Sequence, residues 1–350
     1  MEQSDQYYAR ARAVTPHGSQ TRSKRRNVFG DNFPSAIQRG TGCHITTIDH
    51  RTLIDWNGAL GAIIIGHGHP EIANAVAKTI RTGNLFTLPT PLEADASEAL
   101  IDFLSWPDRV RWVKTGSEST EAAVRLARCA TGRDKILSLG YHGWHSQWMP
   151  WADQSTDGIP TGYQSLCDVV AWDDPALYEQ LRYRLSQQSY AAIIVESQWP
   201  VSITLADIQQ LAKSSGTLLI CDEVFQGLRL HRAGWHGQEG ITPDIACFGK
   251  ALGNGVPVAA LVWSNAQTPL DDYAQWISGT FSGDALGLSA AIATMEVYRR
   301  ESIDAHLREI GTHLMTQINA LHIEGMECNG WPQHPRIVFG HEKHGNTRNR

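Results

Sequence analysis

Three short polar segments carry residue types and spacings that can do chemistry. The first holds Lys250, in the run Gly249-Lys250-Ala251-Leu252-Gly253-Asn254-Gly255, directly after the apolar residues 245–248. A lysine at the end of a buried strand is partly desolvated, which favours the neutral amine that a Schiff-base nucleophile needs. The commoner role of a single such lysine is a stem lying on apolar surface with its ammonium in water. The second segment holds Asp222, which closes the apolar run LLIC and precedes Glu223 and Val224. A strand-end acid can serve a nucleotide hydrolase, but the companion loop G-x-x-x-x-G-K-[ST] does not occur in these 350 residues. Asp222 is then either the partner of a nearby arginine such as Arg229 or the acid that serves a cationic ring nitrogen. The third segment is Thr115-Gly116-Ser117-Glu118-Ser119, which opens the helical pattern STEAAVRLARCA. Free N–H groups, a glycine and hydroxyls suit a phosphate there, while a plain N-cap is the simpler reading.

Each segment needs a strand to deliver it and a helix or turn to hold it. Apolar strand patterns cover 109–114, 135–139, 191–196, 217–224, 245–248 and 258–263, with helical patterns at 118–130 and 208–215 between them. Strands that are apolar on both faces and alternate with helices predict a mainly parallel sheet covered on both sides, with ligands beyond the carboxyl ends of its strands. Further helices are predicted from Pro70 to a stop at Gly83, over 93–104, and over 285–300. Residues 43–56 read as a strand pair turning near 49–51, and 15–42 read as loop. A phosphate cradle, a ring-nitrogen acid and a Schiff-base lysine on such a sheet together describe a pyridoxal 5'-phosphate site.

Composition sets the outer bounds. Thirty Lys+Arg against 36 Asp+Glu leave a formal charge of −6, so there is no basic footprint for nucleic acid. With 42% hydrophobic and 19% charged residues the chain supports a sizeable core. No apolar stretch approaches the roughly 20 residues of a membrane span, and the charged N-terminus lacks the core of a secretory signal. Six scattered cysteines without a C-x-x-C pair suit reduced, mostly buried thiols and a cytoplasmic protein. His142 and His145 lie three apart without a third ligand at zinc-like spacing, so no metal is expected. His67 and His69 in GHGHP read as a turn before a helix.

Longer runs carry a family resemblance. IDWNGALGAIIIGHGHPEIANAV (54–76), TGSESTEAAVRLARCATGRDKI (115–136), GYHGWHSQW (140–148), LLICDEVFQGLR (218–229), PDIACFGKALGNGVPVAAL (243–261) and GTFSGDALGLSAAIATM (279–295) resemble class III aminotransferases of fold type I. The pattern is most similar to the glutamate-1-semialdehyde aminomutase-like subgroup and covers about residues 15 to 300. The resemblance implies an α/β fold with a mainly parallel seven-stranded sheet sandwiched by helices and a smaller α+β domain. It divides the chain into an N-terminal segment (1–50) serving the small domain and substrate pocket, a large cofactor domain (51–300), and a partial C-terminal small domain (301–350). That last part, ending HEKHGNTRNR, is either naturally short or truncated.

The same resemblance implies roles residue by residue. Lys250 forms the Schiff base with pyridoxal phosphate, and Asp222 keeps the pyridine nitrogen protonated. Val224 and Tyr141 flank the ring, His142 belongs to the cofactor contacts, and Gly116 and Ser117 hold the phosphate. Thr280 reaches the phosphate of a neighbouring subunit, which implies a homodimer with shared sites. The implied reaction moves an amino group from a small-molecule amino donor to a carbonyl acceptor. The nearest alternative is an aminomutase that transfers within one molecule, and a further one is a cofactor-binding protein of little or no activity. Two departures bear on this. Lys24 stands where the aminomutases have an arginine for the substrate carboxylate, and lysine cannot grip a carboxylate with two parallel bonds. Glu196, placed on the substrate side, is followed by Ser197 where relatives have proline.

Overall fold

The computed structural model describes residues 2–30, 32–148, 156–196, 201 and 203–340. A helix, Glu2–Val14, is followed by a three-stranded antiparallel sheet of β1 (Ile37–Thr41), β2 (His44–Thr47) and β3 (Thr52–Ile54). The large sheet is built from β4 (Arg109–Val113), β5 (Lys135–Leu139), β6 (Cys167–Val169), β7 (Tyr190–Val195), β8 (Leu218–Asp222), β9 (Ile245–Phe248) and β10 (Ala259–Trp263). Its order is β4-β10-β9-β8-β7-β5-β6. Strand β10 runs antiparallel to both neighbours, and the other pairings are parallel.

The sheet is a middle layer because β7, β9 and β10 are buried along their whole length. Side chains alternate between two cores, as the pleat requires. Leu137, Leu139, Ile193, Val195 and Phe248 meet Leu100 and Phe103 of the helix Pro91–Leu104 and Leu288 of the helix Ala285–Glu301. On the opposite face Ile136, Ile194, Ile220 and Ile245 meet Ala123, Val124 and Leu126 of the helix Gly116–Thr131. Each such fully buried Leu or Ile contributes about 1.5–3 kcal/mol through removal from water.

Two regions depart from the expectations. The segment 15–42 is not all loop, since β1 pairs with β2 and a short helix spans Arg26–Phe29. The helix Glu2–Val14 lies outside any hydrophobic pattern, because it is anchored by polar bonds: Ser4 N–H donates to Asp49 Oδ1 (3.1 Å), and Ser35 N–H donates to Ser4 Oγ (3.2 Å). Beyond the large sheet, the helix Ile303–Asn319 packs on a hairpin of β11 (Met326–Trp331) and β12 (His334–Phe339). Asn319 bonds both the N–H and the carbonyl of Cys328 (2.7 and 2.9 Å). The stretch 341–350 lies outside the described residues.

Candidate active site

Three elements meet beyond the carboxyl ends of β8 and β9. A Cβ built on Gly116 would lie 2.4 Å from Val224 Cγ1, so only glycine lets the helix N-terminus rest on that side chain. One built on Gly249 would lie 3.4 Å from the same methyl and 3.6 Å from Gly116 Cα. The phosphate-type turn, the residue after Asp222 and the residue before Lys250 are therefore neighbours. Lys250 itself has a left-handed φ of 41° and starts the turn Lys250–Gly253. Such backbone is costly for a side-chain-bearing residue and collects at functional sites. Its Nζ stands 5.0 Å from the centroid of the Phe225 ring.

Asp222 is buried and bonds His142, not Arg229. His142 Nδ1 lies 2.9 Å from Asp222 Oδ2, and Asp222 Oδ1 accepts the Val224 N–H (3.1 Å). Donation from Nδ1 to a carboxylate leaves Nε2 as the other ring nitrogen, and Nε2 is buried without a partner among the described residues. Arg229 instead donates Nη2 to the Gly61 carbonyl (2.6 Å) and Nε to the Phe225 carbonyl (3.2 Å). The arginine-partner reading of Asp222 is thus replaced by a histidine pair. Thr120 of the helix Gly116–Thr131 fixes His142 from below, its hydroxyl donating to the His142 carbonyl (2.7 Å).

Glu196 follows β7 and is buried, with Oε2 accepting the Tyr141 N–H (3.2 Å). Burial first, then the Asp222 charge, raise its carboxyl above the ordinary value, against the pull of Lys250 and His142. Tyr141 and Val224 are both half-buried. At the helix start the N-cap reading holds. Thr115 Oγ1 accepts the Glu118 N–H while Glu118 Oε2 accepts the Thr115 N–H, a capping box. That box leaves the half-buried Ser117 hydroxyl with no hydrogen bond among the described residues.

Other expected residues lie apart. Thr280 is exposed on the turn before the helix Ala285–Glu301, and Lys24 is exposed on the turn Arg22–Lys24 with no described contact to this group. His145 pairs with Glu121, away from Asp222, while His67 Nε2 bonds Asp55 Oδ2 at 2.7 Å in the turn before the helix Pro70–Ile80. Cys221, Glu223 and His236 bring ligand-type atoms together. Glu223 already accepts from Trp235 N–H, His236 N–H and His236 Nδ1, each at 2.9 Å, so the cluster is a hydrogen-bond knot. Asn254, not singled out from the sequence, accepts the N–H groups of Ile64 and Ile65 and donates to Gly66 O. Its place between Gly253 and Gly255 was the available signal, and the structure gives it a left-handed φ of 43°.

Residues 26–327 match the family Aminotransferase class-III. The chain belongs to that family. It is 33% identical over 309 residues to a glutamate-1-semialdehyde 2,1-aminomutase of Desulforapulum autotrophicum, covering 81% of this chain and 71% of the relative. It is 30% identical over 311 residues to the 2'-deamino-2'-hydroxyneamine transaminase of Streptomyces kanamyceticus, covering 86% and 76%. Among solved structures, the internal aldimine form of the FumI protein of a Sphingopyxis species superposes with a TM-score of 0.88 at 25% identity, covering 98% and 84%. A glutamate-1-semialdehyde aminomutase of Pseudomonas aeruginosa shares the fold, with a TM-score of 0.84 at 21% identity over 98% and 81%. This class-III aminotransferase is a fold type I enzyme whose cofactor is pyridoxal phosphate. Its residues fit that group: a glycine-opened helix N-terminus with an uncommitted hydroxyl, a buried acid on a histidine, and a strand-end lysine.

Proposed function

We propose that the protein moves an amino group between two separate small molecules, an amino donor and a carbonyl acceptor. The observation that carries this reading is the contact of Gly116, Val224 and Gly249, which sets a phosphate-type turn, Asp222 and Lys250 around one space. Pyridoxal phosphate supplies the electron-withdrawing ring when bound. Lys250 would hold it through Nζ, and the same amine, when free, would move the proton at the substrate α-carbon. Asp222, oriented by His142 Nδ1–H, keeps a proton on the ring nitrogen. Gly116 and Ser117 hold the phosphate at the positive end of the helix, and Val224 and Tyr141 bracket the ring. Glu196 and Lys24 are assigned to the substrate side.

Transfer between molecules is favoured over an aminomutase by Lys24, whose single ammonium lacks the fork that grips a carboxylate. Feeding a separate amino donor and measuring its keto product decides between them. A stoichiometric keto product supports transfer; an isomerised substrate without one establishes the mutase. Lys250→Ala abolishes turnover, and normal turnover by that variant would refute the assignment.

A homodimer is part of the same reading. Asn84 accepts the N–H groups of Ala285 (3.0 Å) and Leu286 (2.9 Å), laying the loop after it against the turn that carries Thr280. Leu85, Phe86 and Leu88 of that loop, with Trp276 and Phe281, are exposed. Large apolar side chains on adjoining segments suit a second copy of the chain. Residues 1–50 and 301–350 are assigned to the smaller domain. The cytoplasm is the proposed location, in keeping with four buried cysteines and no disulfide among the described residues. No described helix is long and apolar enough to cross a membrane.

A further inference from the structure

Arg229 is a buried guanidinium with no ion pair among the described residues. Burial alone lowers it, to about 10, and no carboxylate offsets that cost. What the side chain does hold is backbone and an aromatic face: the carbonyls of Gly61 and Phe225, and the Phe225 ring with its centroid 4.8 Å from Cζ. The same ring lies 5.0 Å from Lys250 Nζ and 4.7 Å from the His334 ring of β12. Gly61 closes the arrangement, since a Cβ there would lie 2.8 Å from Phe225 Cε2. It ends a turn, 58–61, in which four successive residues have left-handed φ, Ala59 and Leu60 among them. Backbone strained in that way persists only where surrounding bonds over-determine it.

The geometry points to Arg229 as a positioning residue that fixes the Phe225 ring, and through it the aim of the Lys250 amine. Its planar fork reaches two carbonyls on different segments at once, which a lysine in its place does not do. A reacting amine displaced by about 1 Å loses on the order of a hundredfold in rate, so a small shift of the ring is enough to register. The inference rests on the assignment of Lys250 above, and its test is built to fail separately from that assignment.

The experiment compares Arg229→Met, Arg229→Lys, Phe225→Leu and the Arg229→Met/Phe225→Leu double variant. Cofactor-free protein is mixed with pyridoxal phosphate, and the rate at which Lys250 captures it is followed by the visible band. Arg229→Met is expected to slow capture at least about tenfold and to lower kcat similarly, with KM within about threefold. Arg229→Lys should not rescue it. In the Phe225→Leu background the Arg229 substitution should add little, because the ring it acts through is gone. Rescue by lysine, equal effects in both backgrounds, or unchanged rates per folded molecule beside a lowered Tm would overturn the proposal. If Arg229→Met does not fold, Arg229→Gln serves in the same comparison. A wild-type protein that captures the cofactor but transfers no amino group would overturn the functional reading and leave the Arg229 result standing.

Discussion

Asp222 works through its neighbours: one oxygen takes His142 Nδ1 and the other takes the Val224 N–H, so a single carboxylate orients both a ring and a strand end. Asp222→Asn keeps the shape but removes the charge. Amino transfer should fall at least about a hundredfold while the far-UV circular dichroism stays unchanged. Glu196 makes a second residue-level prediction. Burial raises its carboxyl above 4.5, so at pH values between 4.5 and the raised value the folded chain keeps a proton that the unfolded chain has lost. That contribution to stability is complete below about 4.5 and fades as the pH climbs through the raised value. Glu196→Gln carries no such dependence. Thermal unfolding should therefore show the Tm of the variant gaining on that of the parent as the pH rises from 4.5 to 8. A constant offset across that range would contradict the burial argument.

At the level of elements, the site depends on how closely the helix Gly116–Thr131 approaches the end of β8. Gly116→Ala puts a Cβ 2.4 Å from Val224 Cγ1 and should weaken cofactor retention at least about tenfold, measured by dialysis and absorbance. Val224→Ala makes room and should restore much of the loss in the double variant. The strands bearing Asp222 and Lys250 were legible because β8 and β9 are short apolar runs that stop at polar residues. The direction of β10 was not, since AALVW is buried on both faces and reads alike whichever way it runs. Strand β1 escaped notice because IQRGT is mostly exposed and has no apolar alternation to mark it. The His142–Asp222 bond joins residues 80 apart, and nothing local in either segment announces the other. Arg229 was visible only as a possible partner for Asp222; its Gly61 acceptor, 168 residues away, is brought to it by tertiary packing.

For the molecule as a whole, the decisive question is where Thr280 acts. It is exposed on its own protomer, beside the exposed Phe281 and the apolar loop held by Asn84. If it serves the partner's phosphate, then one site draws Lys250 and Thr280 from different chains. Lys250→Ala removes the amine, and Thr280→Glu sets a negative charge against a phosphate; each homodimer alone should be nearly inactive. In a dimer formed from one chain of each kind, one site combines both lesions and the other has neither. Random pairing makes half the dimers mixed, so co-expressed chains should recover about one quarter of wild-type activity. If Thr280 serves its own chain, every site contains one lesion and nothing is recovered. The same preparation, run on a sizing column after Phe86→Glu and Leu88→Glu are added to both chains, should shift toward monomer and lose the recovered quarter, because the two intact halves of the site then sit on separate molecules.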